Sequence, residues 1–351
     1  MSAPAVEFRA VTKRYGSVVA VDDINFSIDR ASLVTLLGPS GCGKTSTLRL
    51  IAGLEQPSSG QILIGGADVT MLSAAERDVS MVFQSYALFP HMTVLENVCY
   101  GLRAGGASRA RARELAAEKL RLVGLAGYEN RLPSELSGGQ QQRVAVARAI
   151  VLEPQVLLFD EPLSNLDAKL RRRVRDEIRA LQQELSLTVV YVTHDQAEAL
   201  AVSDRVIVMN MARIAQDDTP RALYERPNSH FVADFIGDAN LLPVLIERHD
   251  GDLARVRLGA VMVSLPHRGI APGPAELAIR PRAVRLGDPS SRLTGRIAKA
   301  AYLGEHMEYQ VAVDGLEKEL FVIDSAVAMP RETGTSVGVT LDPAGAALVP
   351  P

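Results

Sequence analysis

Residues 33–45 read LVTLLGPSGCGKT, an apolar strand that runs into a glycine-rich loop and then into a helix. In such an arrangement the backbone N–H groups of the loop wrap the phosphates of a nucleotide, and the helix N-terminus adds a favourable field. Lys44 is expected to reach the β- and γ-phosphates, and the Thr45 hydroxyl is expected to ligate Mg²⁺. The stretch therefore predicts a nucleotide-binding domain.

This loop supplies a first set of candidate nucleotide contacts, namely Gly38, Pro39, Ser40, Gly41, Cys42, Gly43, Lys44, Thr45 and Ser46. The alternative is a glycine-rich turn with a chance lysine, and the flanking strand and helix weigh against it. Cys42 lies at a helix start, where the pKa of a thiol can be lowered and redox sensitivity can follow. The simpler interpretation, a small residue in a tight loop, is favoured.

Length and composition narrow the class of protein. With 351 residues, the chain is expected to hold two domains. Its formal net charge is −3, which disfavours a general nucleic-acid binder, so no nucleic-acid partner is expected. No apolar run is long enough to span a bilayer and no secretory signal is visible, so a cytoplasmic location is expected. Two cysteines and six scattered histidines disfavour a disulfide framework and a metal site held by these residues.

The amino-acid composition changes near residue 240, after which proline and glycine together are nearly twice as frequent as before it. Before that point, apolar runs at 32–37, 156–159 and 188–192 alternate with helical stretches, and a charged helical insertion is expected at 103–122. This alternation predicts an α/β domain with a mainly parallel sheet over 1–239. After it, short β-rich runs predict a small all-β barrel or sandwich over 240–351; these runs lie at 261–265, 278–280, 309–313 and 320–323.

Two apolar strands deliver polar side chains to one sheet edge. Asp160 and Glu161 follow the run 156–159, and His194 follows 188–192. Ligands bind at the carboxyl edge of parallel sheets. Asp160 is expected to hold Mg²⁺ through water, and Glu161 to orient or deprotonate the water that attacks the γ-phosphate. A lone histidine is usually structural, but this position favours a γ-phosphate sensor for His194.

Residues 136–143, LSGGQQQR, place a serine and two glycines at the start of a helix and so form a second N-terminal phosphate cradle. Its candidate contacts are Ser137, Gly138, Gly139 and Gln140. The basic run at 169–175 has apolar residues at spacing i and i+4, which predicts a solvated helix face rather than a nucleic-acid contact.

With these two segments, the chain resembles the ATP-binding-cassette ATPases along nearly its whole length. The resemblance implies a P-loop ATPase domain with a helical signature subdomain at about 85–150, and a head-to-tail homodimer that encloses two ATP. It also implies that Tyr15 stacks on adenine, that Gln84 links Mg²⁺ and the attacking water to the helical subdomain, and that residues 164–167 communicate across the dimer. The apolar segment 85–90 then borders a groove for a helix of a membrane subunit, with ordinary core packing as the alternative.

Residues 240–351 resemble the small OB-like accessory domain of importer ATPases for maltose, polyamines, ferric iron, sulfate and phosphonates, with 278–281 (AIRP) matching a short motif there. The chain departs from this pattern at Arg282, where an acid is usual. It also departs in the turn 210–213 and in the segment 216–220, where a glycine is usual. These departures lie outside the nucleotide site and concern local turn geometry.

The function expected from the resemblance is an ATP-hydrolysing subunit of an import complex at the cytoplasmic face of the inner membrane. Two membrane-spanning permease subunits and an extracytoplasmic solute-binding protein are the expected partners. Ferric iron is the solute expected first. Polyamines (spermidine or putrescine) or phosphonates are the next candidates. A soluble, non-transport cassette ATPase is the alternative class, but the interval between Lys44 and Ser137 is too short for the coiled-coil arms of such proteins. A sensor role for the β-rich domain, with the chain acting partly in signalling, is compatible with import.

Overall fold

The computed structural model describes residues 3–259, 261–291 and 293–350, which divide into two compact units, one reaching to Pro220 and one starting at Arg221. The short helix His230–Phe235 therefore lies in the second unit, whereas the predicted boundary at 239/240 assigns it to the first domain. No helix in the described part of the chain is long and apolar enough to cross a membrane.

Helices and strands alternate through most of the first unit. Its helices are α1 (Lys44–Ala52), α2 (Val94–Ala104), α3 (Arg109–Leu122), α4 (Gly138–Ile150), α5 (Ala168–Glu184) and α6 (Gln196–Val202). Its strands are β1 (Val6–Tyr15), β2 (Val18–Ile28), β3 (Leu33–Leu37), β4 (Ser59–Ile64), β5 (Ala67–Asp68), β6 (Val79–Val82), β7 (Val156–Asp160), β8 (Val189–Thr193), β9 (Arg205–Asn210) and β10 (Arg213–Asp218).

These strands form two sheets. One is antiparallel with the order β2-β1-β4-β5, and the other has six strands in the order β10-β9-β3-β8-β7-β6. The second sheet is parallel except for its edge strand β10, which confirms the predicted parallel sheet. Helix α1 buries Leu48 and Ile51 in the core that both sheets share. On the other face of the large sheet, α4 and α5 pack against Phe159 and Tyr191.

The three central strands of the large sheet bring their carboxyl ends to one edge. Strands β3 and β8 are buried along their whole length, and β7 is buried up to its last residue. Buried parallel strands have no solvent face, which explains why their sequences are mostly apolar. The two threonines of β3 and β8, Thr35 and Thr193, are buried and hydrogen-bonded to Ser203 and Glu198. The register pairs Leu37 with Thr193 and Asp160 with Val192, so the loops after all three strands leave the sheet side by side.

The helical part of this unit consists of α2, α3 and α4, which share a small apolar core. The charged helical insertion predicted at 103–122 is helical over most of its length, but it is interrupted, because two helices meet there. Helix α2 ends at Ala104, Gly106 adopts a φ of 88°, and the Ser108 hydroxyl accepts a hydrogen bond from the Arg111 N–H to start α3. Two consecutive glycines followed by a capping serine therefore interrupt the helical pattern.

The turn between β9 and β10 forms without glycine. Met211 and Ala212 both have left-handed backbone angles, with φ of 45° and 67°. The Ala212 carbonyl accepts a hydrogen bond from the Asp22 N–H at 2.8 Å. Replacing the glycine that is usual in similar chains therefore leaves the hairpin intact, at the cost of two strained residues.

The second unit is mainly β-structure, as predicted. Its elements are α7 (Pro220–Glu225, whose first residue belongs to the first unit), α8 (His230–Phe235), β11 (Asn240–Asp250), β12 (Leu253–Leu258), β13 (Val261–Pro266), β14 (Gly273–Ile279), β15 (Val284–Gly287), β16 (Leu293–Tyr302), β17 (Met307–Val313), β18 (Leu320–Asp324), β19 (Ser336–Leu341) and β20 (Ala346–Val349). Two antiparallel sheets, β13-β12-β11-β14-β20 and β15-β19-β16-β17-β18, enclose one apolar core. This arrangement agrees with a small OB-like domain.

Arg280, in the predicted 278–281 motif, ties the helices of this unit to its sheets. Its side chain is buried, lies 4.2 Å from the centre of the Tyr224 ring, and donates hydrogen bonds to the carbonyls of Tyr224, Ala233 and Ile236. Burial lowers the pKa of the Arg280 guanidinium. Because these carbonyls follow or end α7 and α8, one cation satisfies acceptors that the helices leave free.

Candidate nucleotide site

The loop 38–43 joins the buried strand β3 to helix α1. At Gly43 the backbone has a φ of 105°, and a Cβ atom there would lie 2.3 Å from the Ala20 carbonyl oxygen. At Gly38 a Cβ atom would lie 2.3 Å from the Met209 carbonyl oxygen. Both neighbours are backbone atoms that cannot move away, so the loop keeps its shape only with glycine at these two positions.

Lys44, the first residue of α1, is buried and folds back over this loop. Its Nζ atom donates hydrogen bonds of 2.8 Å to the carbonyls of Gly38 and Pro39. In the described chain no side chain caps the N-terminus of α1, and the first turn contains no acidic residue. The end of the helix dipole and the ammonium group therefore place positive charge at the loop.

Cys42 is buried in the same loop. Burial raises the pKa of its thiol, and the nearby charge of Lys44 only partly offsets this effect. The idea that the helix start lowers this pKa is wrong, because loss of hydration outweighs the favourable field. The structure supports the simpler interpretation of Cys42 as a small residue in a tight loop.

Asp160 and Glu161 stand at the carboxyl end of β7. Burial raises the pKa of Asp160, and the adjacent charge of Glu161 raises it further, while Arg49 and Lys44 act in the opposite direction. A half-buried carboxylate beside a second carboxylate is a position that favours a cation. The oxygen donors predicted for Mg²⁺, on Thr45, Gln84 and Asp160, are hard ligands of the type that this ion takes, so the residues present fit it.

Glu161 is held by its backbone and leaves its carboxylate accessible. Its φ is 44°, and its N–H donates to the Val192 carbonyl at 3.0 Å. Its Oε2 atom lies 3.2 Å from Nδ1 of His194, and the two side chains are 24% and 59% exposed. The ends of β7 and β8 thus bring a carboxylate and an imidazole together at the sheet edge, next to the phosphate loop.

Gln84 is connected to Glu161 through the loop after β7. The Gln84 amide donates to the Ser164 hydroxyl at 3.0 Å, and that hydroxyl donates to the Glu161 carbonyl at 3.0 Å. The Asn165 amide donates to the Gln84 carbonyl at 3.1 Å. The segment that leads into the helical part of the unit is therefore hydrogen-bonded to the segment 164–167 predicted to communicate between subunits.

The second glycine-containing segment has a different local structure. Ser137 caps α4, its hydroxyl accepting from the Gln140 N–H, while the Gln140 side-chain oxygen accepts from the Ser137 N–H at 2.9 Å. Gly138 and Gly139 form the first turn of the helix. A Cβ atom at Gly139 would lie 3.2 Å from Cδ1 of Leu170, so this turn packs closely on α5.

Comparison with known proteins places these features in a family. Residues 21–164 match the model of the ABC transporter family, and residues 277–349 match the TOBE domain. The chain is 59% identical to the Fe(3+) ions import ATP-binding protein FbpC of Rhizobium etli, over 98% of this chain and 97% of that protein. The chain belongs to the ATP-binding-cassette (ABC) ATPases. It is also 48% identical to the protein of the same name from Escherichia coli O157:H7, over 97% of this chain and 96% of that protein.

Solved ABC structures support the fold. The dimeric post-hydrolysis state of the ATP-binding cassette MJ0796, bound to ADP and Pi, matches with a TM-score of 0.55 and 33% identity; the match covers 62% of this chain and 99% of that one. A cassette from Clostridium perfringens, cbiO1, matches with a TM-score of 0.60 and 26% identity, over 64% of this chain and 91% of that one.

Tyr15, the ABC residue expected to stack on adenine, ends β1 with an exposed ring. Its hydroxyl bonds to Glu55, and the Lys13 ammonium lies 4.8 Å from the ring centre. Because the Tyr15 ring is half-exposed and is held at its hydroxyl end, one face of the ring remains available to stack on an aromatic base.

The sequence did not predict a cluster of ion pairs that lies next to the nucleotide site. Arg171, predicted to lie on a solvated face, instead pairs with Asp195 at 3.4 Å and Glu198 at 3.7 Å, and donates to the Leu166 carbonyl. Burial raises the pKa of Glu198, although a hydrogen bond from Thr193 opposes this effect. The only sequence signal was an acidic residue in the first turn of α6. Lys169, Arg172 and Arg173 are exposed as predicted, and Val174 is turned into the core, but the Arg175 side chain is only 20% exposed and pairs with Asp176.

Proposed function

We propose that this ABC ATPase is the ATP-hydrolysing subunit of a ferric-iron importer. The observation that carries the proposal is the similarity of nearly the whole chain to proteins named for Fe(3+) import in several bacteria. The nucleotide-site geometry supports the ATPase part independently, whereas the choice of iron depends on the relatives.

ATP binding is proposed to begin at the phosphate loop. The Nζ atom of Lys44 now donates to two carbonyls of its own loop. Phosphate oxygens would compete for these donors and add charge to the hydrogen bonds, which roughly doubles their strength. The N–H groups at the start of α1, together with the hydroxyls of Thr45 and Ser46, would complete the cradle, and Tyr15 would hold the base.

Hydrolysis is proposed to use Glu161 as general base. Its Oε2 atom would accept a proton from the attacking water as the water oxygen bonds to the γ-phosphorus and the β–γ bridging bond breaks. His194 would donate to a γ-phosphate oxygen from its exposed position. Thr45 and Gln84, and Asp160 through water, would hold Mg²⁺, which would supply neutralisation of the phosphate charge.

The complete site is proposed to need a second copy of the chain. The segment 137–140 presents a helix N-terminus that is well separated in the sequence from the phosphate loop, and a head-to-tail homodimer would place it against the ATP of the other subunit. The dimeric structures of the MJ0796 cassette support this arrangement.

Two permease subunits are proposed to dock on the helical part of the first unit. A cavity of about 400 Å³ lies there, lined by residues that include Met92, Tyr100, Arg103 and Arg113. The Phe89 ring packs on Tyr100 at 4.6 Å, so the apolar segment 85–90 packs internally and contacts one residue that lines the cavity. An apolar floor with a basic rim suits an amphipathic helix with acidic residues. Docking there would place the ATPase at the cytoplasmic face of the inner membrane.

Iron would be bound outside the membrane by a separate solute-binding protein, with the oxygen ligands that suit a hard cation. The test is reconstitution of this chain with its permease and binding protein in lipid vesicles. ATP hydrolysis is expected to rise when the binding protein carries ferric iron. Stimulation by a polyamine-loaded or phosphonate-loaded partner, with none from the iron-loaded one, would overturn the choice of iron and leave the ATPase proposal standing.

A further inference from the structure

A small polar cavity separates the two loops that carry Glu161 and His194. Its volume is about 40 Å³, which leaves room for water. The chain after β7 contributes three lining residues, and the end of β8 with the residues after it contributes four: Glu161, Ser164 and Arg171, and Thr193, His194, Asp195 and Glu198. All of these residues are polar or charged, so apolar packing does not fix the distance between the two loops at this point.

Arg171 bonds to both loops. One of its Nη atoms donates to the Leu166 carbonyl at 3.1 Å, and the other donates to the Asp195 carboxylate at 3.4 Å. Its Nε atom lies 3.7 Å from the Glu198 carboxylate. Because a guanidinium is planar and presents its nitrogens in a fixed fork, this side chain sets the distance between Leu166, after β7, and Asp195, after β8.

The residues on either side of His194 belong to the same network. The Asp195 N–H donates to the Thr193 hydroxyl at 3.0 Å, and this hydroxyl donates to the Glu198 carboxylate at 2.8 Å. Asp195 also caps α6, because its carboxylate accepts from the Glu198 N–H at 3.0 Å. These bonds hold the backbone of His194 from both sides, so the direction of its exposed ring depends on where Asp195 and Glu198 lie.

The Leu166 carbonyl belongs to the loop that begins at Glu161. Within this loop the Ser164 hydroxyl donates to the Glu161 carbonyl at 3.0 Å. The direct contact between the loops is the 3.2 Å approach of the Glu161 carboxylate to the His194 ring, and both side chains are partly exposed. Since exposed pairs of this kind contribute little, the contact needs support from bonds that lie deeper in the structure.

We propose that Arg171 is a positioning residue for ATP hydrolysis, which keeps the His194 ring beside the Glu161 carboxylate by bonding to both loops. The inference rests on the roles of Glu161 and His194 in the proposed function. Leu166 lies in the segment 164–167, which is expected to communicate between subunits. A movement of that segment in the dimer is therefore transmitted to His194 through the guanidinium of Arg171.

A second arginine of α5 provides a matched control. Arg179 bonds to Asp204 and to the side-chain oxygen of Gln182, and its side chain is 24% exposed, against 34% for Arg171. The Asp204 carboxylate accepts from the Leu33 N–H, at the start of β3, so this pair lies at the sheet edge opposite the phosphate loop. Loss of Arg179 removes a comparable set of bonds from the same helix without touching the nucleotide site.

Steady-state kinetics of the full chain test the role of Arg171. In Arg171→Ala, kcat is expected to fall by about 10- to 100-fold, because small displacements of reacting groups cost this much. The KM for ATP should stay within about twofold, because the contacts at α1 are intact. Arg179→Ala should melt at a lower temperature but keep the wild-type kcat. Equal losses of kcat in both variants, or none in Arg171→Ala, would overturn the proposal.

Arg171→Lys keeps a positive charge beside Asp195 and Glu198 and so covers the case in which Arg171→Ala does not fold. A single ammonium group lacks the fork that reaches both loops, so the folded lysine variant should still have a lowered kcat. A folded Arg171→Lys with the wild-type kcat would contradict the proposed bridging by the guanidinium.

NMR of the full chain with isotope-labelled histidine reports on His194 itself. The chain has six histidines, and His194→Gln identifies which ring signal belongs to His194. Arg171→Ala is expected to shift this signal and to leave those of the other histidines in place, while Arg179→Ala shifts none. A lowered kcat with an unmoved His194 signal would mean that Arg171 acts elsewhere, and the proposal would be wrong.

His194→Ala separates this inference from the proposed function. Wild-type hydrolysis in His194→Ala would contradict the proposed role of His194 itself. Loss of hydrolysis in His194→Ala, together with the wild-type rate in Arg171→Ala, would contradict the role of Arg171 alone and leave the proposed function standing.

Discussion

The two helix N-termini that carry the glycine motifs, those of α1 and α4, differ in how they satisfy their backbone. The start of α1 has no side-chain cap within the described chain and depends on glycines that backbone crowding makes irreplaceable. The start of α4 is capped by its own Ser137 and Gln140. At its glycines a Cβ would meet the side chains of Leu166 and Leu170 at 3.3 and 3.2 Å, and these flexible groups would have to shift by only a few tenths of an ångström.

Because of this difference, the two glycine-containing helix starts would contact a phosphate in two different ways. The N–H groups at the start of α1 remain available to an anion, so this half of the site is preformed. At α4 the serine hydroxyl already accepts a bond from its own helix. It can still donate its proton, so Ser137 can keep the cap and bond a phosphate oxygen at the same time.

The largest effect is expected for Glu161→Gln, which separates nucleotide binding from hydrolysis. Loss of a general base lowers turnover by about 100- to 10,000-fold, while the contacts at α1 stay intact. Steady-state phosphate release and ATP affinity, measured on the same preparation, check this. Trapped ATP should also stabilise the dimer in gel filtration. Hydrolysis near the wild-type rate would contradict the role of Glu161.

Lys44→Ala tests the preformed half directly. It removes a charged donor to the phosphates, worth about 1.5–3 kcal/mol, so ATP affinity should fall by about 10- to 160-fold. Equilibrium titration with a fluorescent ATP analogue measures the change. Lys169→Ala, an exposed lysine in the basic run, is the control and should bind as the wild type does. Unchanged affinity in Lys44→Ala would count against the phosphate-loop assignment.

Mixing variants tests whether the two helix starts belong to one shared site. Ser137→Arg subunits combined with Lys44→Ala subunits leave one site with both halves intact and one with both lesions. Half of randomly mixed dimers are of this kind, so hydrolysis should recover to about a quarter of the wild-type rate. Inactivity of a mixture in which mass spectrometry has shown mixed dimers would argue against independent shared sites.

The smallest effect is expected for a substitution of Ser137, the residue that caps α4. Ser137→Ala should lower the free energy of unfolding by about 1 kcal/mol. Ser108→Ala, which removes the cap of α3, should cost a similar amount. Chemical denaturation compares the two, and ATPase assays at saturating ATP separate them, because only Ser137→Ala should slow hydrolysis. Equal ATPase rates in both variants would reduce Ser137 to a structural residue.

The sequence was sufficient for the parallel sheet, the β-rich second unit and the strand ends beside the phosphate loop. The reason is that strands buried on both faces of a sheet are mostly apolar, and the carboxyl ends of parallel strands share one edge. This rule alone is enough to predict that one edge of the sheet carries Asp160, Glu161 and His194.

Other features depend on contacts between distant segments. Arg171 looked like part of a solvated run, and only the packing of α5 beside α6 brings it to Asp195 and Glu198. The buried amide of Gln142 has no partner in the described chain, and nothing in the sequence distinguishes it from Gln182, which is fully bonded. The division after Pro220 likewise depends on which sheet the short helices pack against.

The buried guanidinium of Arg280 limits where recombination can exchange segments between such proteins during evolution. It holds the carbonyls of Tyr224, Ala233 and Ile236, all of which come before the first strand of the β-rich unit. A recombination crossover near residue 240 would join one parent's helices to another parent's arginine. A crossover before Arg221 would transfer the cation with its own acceptors, so inherited breakpoints between importers of this type should cluster before the short helices.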